Sequence, residues 1–173
     1  MQDIYVIGVG MTPFGKFRDK SIKDMTREAV TGALADAGLS AKRIEGAFFS
    51  NAVQGHMEGQ HMIRGEIALR EIGIQGVPVV NVENACASAS TALDMAATWL
   101  EAGRGGVALA VGAEKMFSDN RELMFKVFDG GWDVHDVAAA TGRLLALGEG
   151  VVDPDGEIDG GQRSVFMDVY GSL

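Results

Sequence analysis

Cys86 is the residue of this chain best suited to covalent chemistry, and it is the only cysteine among 173 residues. It lies where an apolar run, Val77 to Val82, meets a segment of small residues that begins at Ala87. A thiol at the start of a helix faces unpaired backbone N–H groups and the positive end of the helix dipole, and both favour the thiolate. Because the thiolate is the nucleophilic form, this position suits covalent catalysis. The alternative interpretation is a small buried hydrophobic residue, as unpaired cysteines often are.

The three histidines, His56, His61 and His135, provide no second catalytic candidate from the sequence. His56 and His61 are five residues apart in a glycine-containing stretch without a nearby cysteine, which indicates solvated loop residues and predicts no metal site. His135 stands at the start of a predicted helix and is interpreted as a surface residue. The Gly8-x-Gly10 pair lacks the third glycine of a dinucleotide-binding fingerprint, so a structural turn is expected there.

Composition narrows the class of protein. A hydrophobic content of 47% with 23% charged residues is typical of a globular domain. The net charge of −9 argues against a nucleic-acid partner and against binding to an anionic membrane surface. The N-terminus has no signal-peptide pattern, no apolar stretch has membrane-spanning length, and a single cysteine fits a reducing cytosol. We therefore expect a cytoplasmic protein.

The hydrophobic pattern alternates predicted strands and helices. The strand candidates are Ile4–Val9, Ala47–Phe49, Val77–Val82 and Gly106–Val111. The helix candidates are Ser21–Ala37, Met62–Ile72 and Ala87–Ala102, each followed by a glycine. Ser21 and Asp24 have the spacing of a capping box at the start of the first helix. Because the strands are apolar without strict polar alternation, the pattern predicts a layered α/β fold whose mostly parallel, mixed sheet is covered by helices on both faces.

The character of the chain changes after Gly112, which divides it into a predicted core, residues 1–112, and a loop or cap region, residues 113–173. The second region contains a predicted helix, Val134–Leu147, and an acidic, glycine-rich stretch over residues 148–161. The last residues, Ser164–Leu173, have the pattern of an amphipathic helix in its first turns. We therefore expect either a fragment or a fold that another polypeptide continues.

The segment Asn84-Ala85-Cys86-Ala87-Ser88-Ala89-Ser90 resembles the nucleophile motif of the thiolase superfamily, Asn-x-Cys-Ala-Ser-Gly at the end of an apolar strand. Three more segments resemble family motifs in order and spacing. They are the opening Val6 to Gly15, the helix Ala29 to Leu39, and Val111-Gly112-Ala113-Glu114-Lys115-Met116. The whole chain is thus similar to the N-terminal half of a sterol-carrier-type thiolase.

This resemblance implies acyl transfer from a 3-ketoacyl-CoA, with Cys86 as the acylated nucleophile and coenzyme A as substrate rather than bound cofactor. It also implies a role in lipid metabolism and fatty acid degradation, and the backbone N–H of Cys86 would contribute to an oxyanion hole. The sequence departs from the family pattern at Ala89, where the motif has glycine. The Gly-His-Pro and Cys-x-Gly motifs of the family's second half do not occur here. Activity is therefore expected to need a C-terminal half or a second thiolase-like chain. The sequence does not identify any cofactor-binding residues.

The family pattern carries further expectations about neighbours of the site and about assembly. It places Glu114 and Met116 at the border of the acyl pocket, while a plainer interpretation has them close a strand. It implies a C2 homodimer with Val80 and Val82 near the axis, and in bacterial and archaeal relatives a small OB-fold, zinc-ribbon partner. Two other functions stay open at this stage. They are a non-catalytic thiolase-like assembly subunit, and a condensing enzyme of the ketoacyl synthase or hydroxymethylglutaryl-CoA synthase type.

Overall fold

The computed structural model describes residues 3–147, which belong to two compact units that divide between Asp119 and Asn120. In the first unit the strands are β1 Gly46–Ser50, β2 Val79–Val82 and β3 Ala108–Gly112, and the helices are α1 Ile22–Asp36, α2 Gln54–Glu58, α3 Arg64–Arg70 and α4 Ser88–Glu101. The second unit contains α5 Arg121–Lys126 and α6 Val137–Leu147. Short 3₁₀ turns lie at Ala41–Arg43, Ala85–Ala87 and Val127–Gly131.

The strands form a parallel sheet in the order β2–β1–β3, with Ala47 of β1 opposite Val79 on one side and Leu109 on the other. The central strand β1 is buried along its whole length. Ala47 and Phe49 pack against side chains of α1 and α3, whereas Phe48 packs against α4. A parallel sheet with helices on both faces is the layered α/β fold that the sequence predicts.

Helix α1 begins at a capping box. The Ser21 hydroxyl accepts the Asp24 backbone N–H, and the Asp24 carboxylate accepts the Ser21 backbone N–H at 2.9 Å. This confirms the prediction from the spacing of the two residues. The Ser21 hydroxyl, the Ser21 N–H and the Arg27 guanidinium together lower the pKa of Asp24 to about 2. Gly38, just beyond the helix, has the left-handed φ of 63° that is typical of a helix end.

Acidification is expected to remove the stabilising contribution of Asp24. The pKa of Asp24 is about 2 in the folded protein and 3.8 for a free side chain. The stabilising contribution is therefore complete at pH values above the pKa of the free side chain, and it is lost as the pH falls through the pKa of the folded protein. The D24N variant cannot titrate and should lose less stability over that interval. Urea unfolding at a series of acidic pH values measures the difference. Parallel losses in D24N and the parent protein would show that Asp24 makes no such contribution.

The prediction of a first strand at Ile4–Val9 is wrong for the structure described, in which this segment is neither strand nor helix. The segment lies against α1, where a Cβ atom on Gly10 would clash with the Ala29 carbonyl oxygen. The Val9 N–H donates to the Asp36 carboxylate at 2.9 Å. A strand requires a hydrogen-bonded neighbour, and here a groove separates the segment from the outer edge of β3. The apolar pattern is therefore present without the strand pairing.

The other predicted elements are found with shifted boundaries. The predicted strands Val77–Val82 and Gly106–Val111 each begin two residues later in the structure, as β2 and β3. The predicted helix Met62–Ile72 is shortened to α3, because Ile63 directly before it has a left-handed φ of 48°. The predicted helix Ala87–Ala102 corresponds to α4, and the polar loop after β1 contains the short helix α2, which the sequence pattern did not predict.

The second unit consists of α5, a 3₁₀ turn and α6. The Asn120 side chain caps α5 by accepting the Leu123 N–H at 3.1 Å. Helix α6 confirms the predicted helix Val134–Leu147 but begins three residues later. The acidic stretch over residues 148–161 and the helix predicted from Ser164 lie outside the described residues. Within residues 3–147, no helix has both the length and the apolar character that crossing a bilayer requires.

Candidate active site around Cys86

Cys86 lies in the 3₁₀ turn Ala85–Ala87 that joins β2 to α4. Its side chain is exposed and unpaired with another cysteine, so the interpretation as a small buried residue is wrong. The α-helix itself begins at Ser88, two residues beyond the cysteine. The sequence therefore located the strand-to-helix junction correctly, and the structure adds a tight turn that presents the thiol to solvent.

The turn contains a strained residue immediately before the cysteine. Ala85 has a φ of 44°, a left-handed conformation that costs a residue with a Cβ atom roughly 1–2 kcal/mol. Hydrogen bonds hold it there. The Asn84 N–H donates to the Ser88 hydroxyl at 2.8 Å, and that hydroxyl donates to the Ala85 carbonyl at 2.7 Å. The Ala85 N–H donates to the Glu83 carboxylate at 2.7 Å. Strain held in this way fixes the direction in which Cys86 points.

Relief of this strain is a testable property of the turn. Ala85→Gly should stabilise the protein by about 0.5–1 kcal/mol, because glycine adopts a positive φ without steric cost. Ala85→Val should destabilise it, since a β-branched side chain is least tolerated in this conformation. Urea unfolding of the two variants measures both effects. If glycine destabilised the protein and valine did not, the left-handed turn before Cys86 would be wrong.

The three parallel strands have their carboxyl ends at the same end of the sheet, where Asn51 and Glu114 are hydrogen-bonded to each other. Asn51 follows β1, the Cys86 turn follows β2, and Glu114 follows β3. Asn51 is only 1% exposed, and its amide donates to the Ala113 carbonyl at 2.7 Å and to the Glu114 carboxylate at 3.1 Å. Its backbone N–H donates to the carbonyl of Val82, the last residue of β2.

Glu114 binds the loop after β1. Its carboxylate accepts the backbone N–H of Ala52 and, at 3.3 Å, that of Val53. Burial raises the pKa of Glu114, against the lowering effect of these N–H groups and of the Arg64 charge, while the negative charge of Glu83 raises it further. Glu114 therefore joins the strand ends to the loop, a role that the family pattern of a pocket-border residue did not include.

The three histidines are exposed residues. His56 is an exposed residue of α2, and His61 is exposed with its ring against Gly55. Within the described part of the chain, neither donates to nor accepts from Cys86 in a hydrogen bond, and no three His, Cys, Asp or Glu side chains are grouped as metal ligands would be. His135 is an exposed residue of the second unit.

Sequence reasoning did not identify Asn51, Glu83 or Ser88 as residues of the site. The partners of Asn51 could not be read from local patterns, since Asn51 and Glu114 are 63 positions apart. Glu83 and Ser88 instead bind backbone groups of the turn within four positions of themselves. One sequence signal could have identified Asn51 as a site residue. It directly follows a buried strand, and the carboxyl ends of parallel strands lie at the same end of a sheet, where ligands bind. Ser88 belongs to the segment that resembles the thiolase nucleophile motif, and its hydroxyl holds the turn by accepting the Asn84 N–H and donating to the Ala85 carbonyl.

A three-layered α/β unit with an exposed cysteine between a parallel strand and a helix defines a recognisable class of protein. Residues 4–143 match the family profile described as "Thiolase, N-terminal domain". The chain therefore belongs to the thiolase superfamily and carries the N-terminal part of its fold.

Two curated relatives illustrate the match. The chain is 36% identical over 133 residues to sterol carrier protein 2 of Gallus gallus, which covers 71% of this chain and 23% of that protein. It is 36% identical over 116 residues to acetyl-CoA acetyltransferase of Methanothermobacter thermautotrophicus, which covers 67% of this chain and 30% of that protein. The chain thus spans less than a third of the length of either relative.

Solved structures share the fold at lower sequence identity. The 3-oxoacyl-[acyl-carrier-protein] synthase III of Aquifex aeolicus is 21% identical with a TM-score of 0.51, over 57% of this chain and 31% of that one. The Ltp2-ChsH2(DUF35) aldolase is 23% identical with a TM-score of 0.53, over 84% and 33% respectively. These likenesses support the thiolase-like fold.

Proposed function

We propose that this chain is the nucleophile-bearing part of a thiolase-type acyl-CoA C-acyltransferase. The observation that carries the proposal is the exposed thiol of Cys86 on a braced turn between β2 and α4, in a chain of the thiolase superfamily. The acetyl-CoA acetyltransferase among its relatives favours the same chemistry. An exposed cysteine on a strained turn argues against the non-catalytic assembly subunit, because a purely structural role needs neither feature.

In the proposed reaction the Cys86 thiolate attacks the carbonyl carbon of the acyl group, and the bond from that carbon to its leaving group breaks. For a 3-ketoacyl-CoA the thiolate attacks C3, the C2–C3 bond breaks, and the leaving group is the enolate of acetyl-CoA, which takes a proton; in the synthetic direction the leaving group is the CoA thiolate of the acyl donor. The acyl-cysteine then transfers its acyl group to the second substrate, and the thiolate is restored. We assign the Cys86 N–H, at the start of a 3₁₀ turn, to the oxyanion that forms during each attack.

The proposed activity needs more polypeptide than the described residues provide. An open groove of about 410 Å³ lies between residues 4–10 and the outer edge of β3, with apolar side chains of α1 and α4 above and below it. Apolar side chains beside it are exposed, among them Val6 at 75% and Leu93 at 56%. An apolar strand would pair with both backbones and cover these side chains. We propose that the C-terminal half of the fold, or a second thiolase-like chain, supplies this strand and the base that activates Cys86.

Several finer features of the proposal come from the resemblance. These are a degradative role in fatty acid metabolism, a C2 homodimer, and a small OB-fold, zinc-ribbon partner. The proposed cytoplasmic location rests on the single cysteine instead. Coenzyme A would act as substrate, with no bound cofactor. A condensing enzyme of the ketoacyl synthase type is the second candidate, favoured by the fold shared with a 3-oxoacyl-[acyl-carrier-protein] synthase. Both candidates form an acyl-cysteine, so the acyl acceptor distinguishes them.

The proposal is tested by acylation of the protein isolated from its own cells with any chains that accompany it. Incubation with radiolabelled acetyl-CoA should place the label on the peptide that contains Cys86, and added CoA should remove it as acetyl-CoA. Removal of the label only by malonyl-CoA or a malonyl carrier protein would favour the condensing enzyme. Absence of label from Cys86 in folded protein with saturating acetyl-CoA and longer acyl-CoAs would contradict both.

Residues 1–173 prepared alone provide a second test, which asks whether acyl transfer needs additional polypeptide. The described residues leave the groove beside β3 open, and we expect the isolated chain neither to turn over acyl-CoA nor to stay monodisperse, because exposed apolar surface promotes association. Size-exclusion chromatography with light scattering and a thermal melt measure this. A monodisperse monomer that melts cooperatively would overturn the need for added polypeptide.

A further inference from the structure

Asn51 has a complete set of side-chain hydrogen bonds in a buried position. Its amide nitrogen donates to the Ala113 carbonyl at 2.7 Å and to Glu114 at 3.1 Å. Its amide oxygen accepts the Gln54 backbone N–H at 2.9 Å and the Arg64 guanidinium at 2.8 Å. A carboxamide has two donors and two acceptor positions, so all four are used. With the side chain 1% exposed, Asn51 cannot itself contact a substrate.

The same residue reaches the Cys86 turn through its backbone. The Asn51 N–H donates to the Val82 carbonyl at 3.2 Å. Val82 is the last residue of β2, and Glu83, which follows it, holds the Ala85 N–H. The side chain of Asn51 is therefore fixed by the residues that follow β3 and by the first residues of α2 and α3. Its main chain fixes the point from which the Cys86 turn leaves the sheet.

We propose that Asn51 is a positioning residue for Cys86, an inference that rests on the proposed function of the cysteine as nucleophile. Its carboxamide holds the end of β1 in register with the ends of β2 and β3, so that the turn leaves Val82 in one direction. Only an amide supplies donors towards Ala113 and Glu114 and acceptors towards Arg64 in one planar group. Because loss of the Asn51 carboxamide would displace the sulfur of Cys86, it should slow the chemical step and leave substrate binding little changed.

Asn51→Asp is the informative substitution, since it preserves shape and removes the donors. The new carboxylate faces the Ala113 carbonyl and the Glu114 carboxylate, which leaves buried oxygens opposed to one another. Asn81→Asp is the matched control. Asn81 donates to the Glu66 carboxylate at 2.7 Å and accepts the Gly65 N–H at 2.6 Å, so its substitution also removes a donor to a carboxylate, but at α3.

The experiment measures three quantities in the protein with its accompanying chains: the rate of Cys86 alkylation by iodoacetamide, kcat and KM for acyl transfer, and stability in urea. In N51D we expect kcat to fall by roughly 10- to 100-fold, as displacement of a reacting group by about 1 Å does, with KM little changed. The alkylation rate should also fall measurably, because the sulfur leaves the backbone N–H groups at the start of the helix that favour its thiolate. In N81D both rates should stay near the parent values. The double variant N51D/E114Q should recover part of the lost rate, since the introduced glutamine amide can donate to the introduced carboxylate.

Three outcomes would overturn the inference: unchanged rates in N51D, equal losses in N51D and N81D, or a loss confined to KM. If N51D does not fold, Arg64→Met replaces it; this variant leaves one amide acceptor of Asn51 unpaired, and an unchanged alkylation rate in it would likewise contradict the inference. The alkylation rate does not depend on acyl-CoA. A protein in which Cys86 is never acylated, but in which N51D slows alkylation, would therefore refute the proposed function and leave the positioning role standing.

Discussion

Replacing Cys86 by alanine is expected to abolish acyl transfer, with kcat/KM falling by roughly 10³-fold or more, as for the loss of other enzymatic nucleophiles. The sulfur forms the covalent bond to the acyl group, and no other cysteine is present to replace it among the 173 residues. Release of CoA from acyl-CoA substrates, measured chromatographically, gives the rate. Because the Cys86 side chain is exposed, its removal should leave the urea unfolding midpoint nearly unchanged.

Cys86→Ser is the matched control, since it retains a hydroxyl of similar size in the same turn. A hydroxyl is a far weaker nucleophile than a thiolate, so the serine variant should also be inactive while it still binds acyl-CoA. In the parent protein, Cys86 should react with iodoacetamide faster than free cysteine does in the same buffer. Activity in the alanine variant, or alkylation no faster than that of free cysteine, would remove the assignment of Cys86 as nucleophile.

The features that the sequence predicted well are those that local patterns encode. Ser21 and Asp24 are three positions apart and form the capping box within one helical turn. Cys86 was assigned to a strand-to-helix junction because β2, the turn and α4 are continuous in the chain. The apolar run of β1 gave a buried strand because it is covered on both faces, which removes the need for polar alternation.

The features that could not be predicted depend on residues far apart in the chain. The segment Ile4–Val9 has the pattern of a strand, but pairing depends on a neighbour, and the groove beside β3 separates it from one. The network of Asn51 needs Arg64 and Glu114, which become neighbours only when the three strand ends align. The left-handed Ala85 is also hidden from sequence patterns, because alanine gives no signal of a positive φ.

The orientation of Val80 changes how the proposed homodimer must be tested. Val80 and Val82 pack with Ala92 and Ala96 of α4 inside the chain, so the contribution of β2 to an interface comes from its backbone edge. A lysine at Val80 would bury a charge between sheet and helix and should destabilise the unit itself. If V80K lost both the dimer and the activity, the cause would be disrupted folding and not a disrupted interface. A substitution that tests the backbone edge of β2 must therefore leave the packing of Val80 and Val82 on α4 intact.

Val79→Pro is such a probe. The carbonyls of Pro78 and Val82 accept the N–H groups of Ala47 and Asn51, so they point towards β1. Backbone groups of successive residues in a strand point to opposite sides, and those of Val79 therefore face the open edge of β2. Proline there removes an outward N–H without removing a bond to β1. If β2 pairs with its symmetry mate, two donors are lost at about 1 kcal/mol each, and the dimer dissociation constant should rise by roughly 30-fold.

Sedimentation velocity over a range of concentrations measures that shift, and Val79→Ala serves as the control because it shortens the same side chain and keeps the N–H. The alanine variant should dimerise like the parent protein. Since β2 leads directly into the Cys86 turn, the proline variant should also lose acyl transfer at concentrations where it is monomeric and regain it where it is dimeric. If V79P, folded by its urea unfolding midpoint, dimerised with the parent dissociation constant, the interface would not lie along the edge of β2.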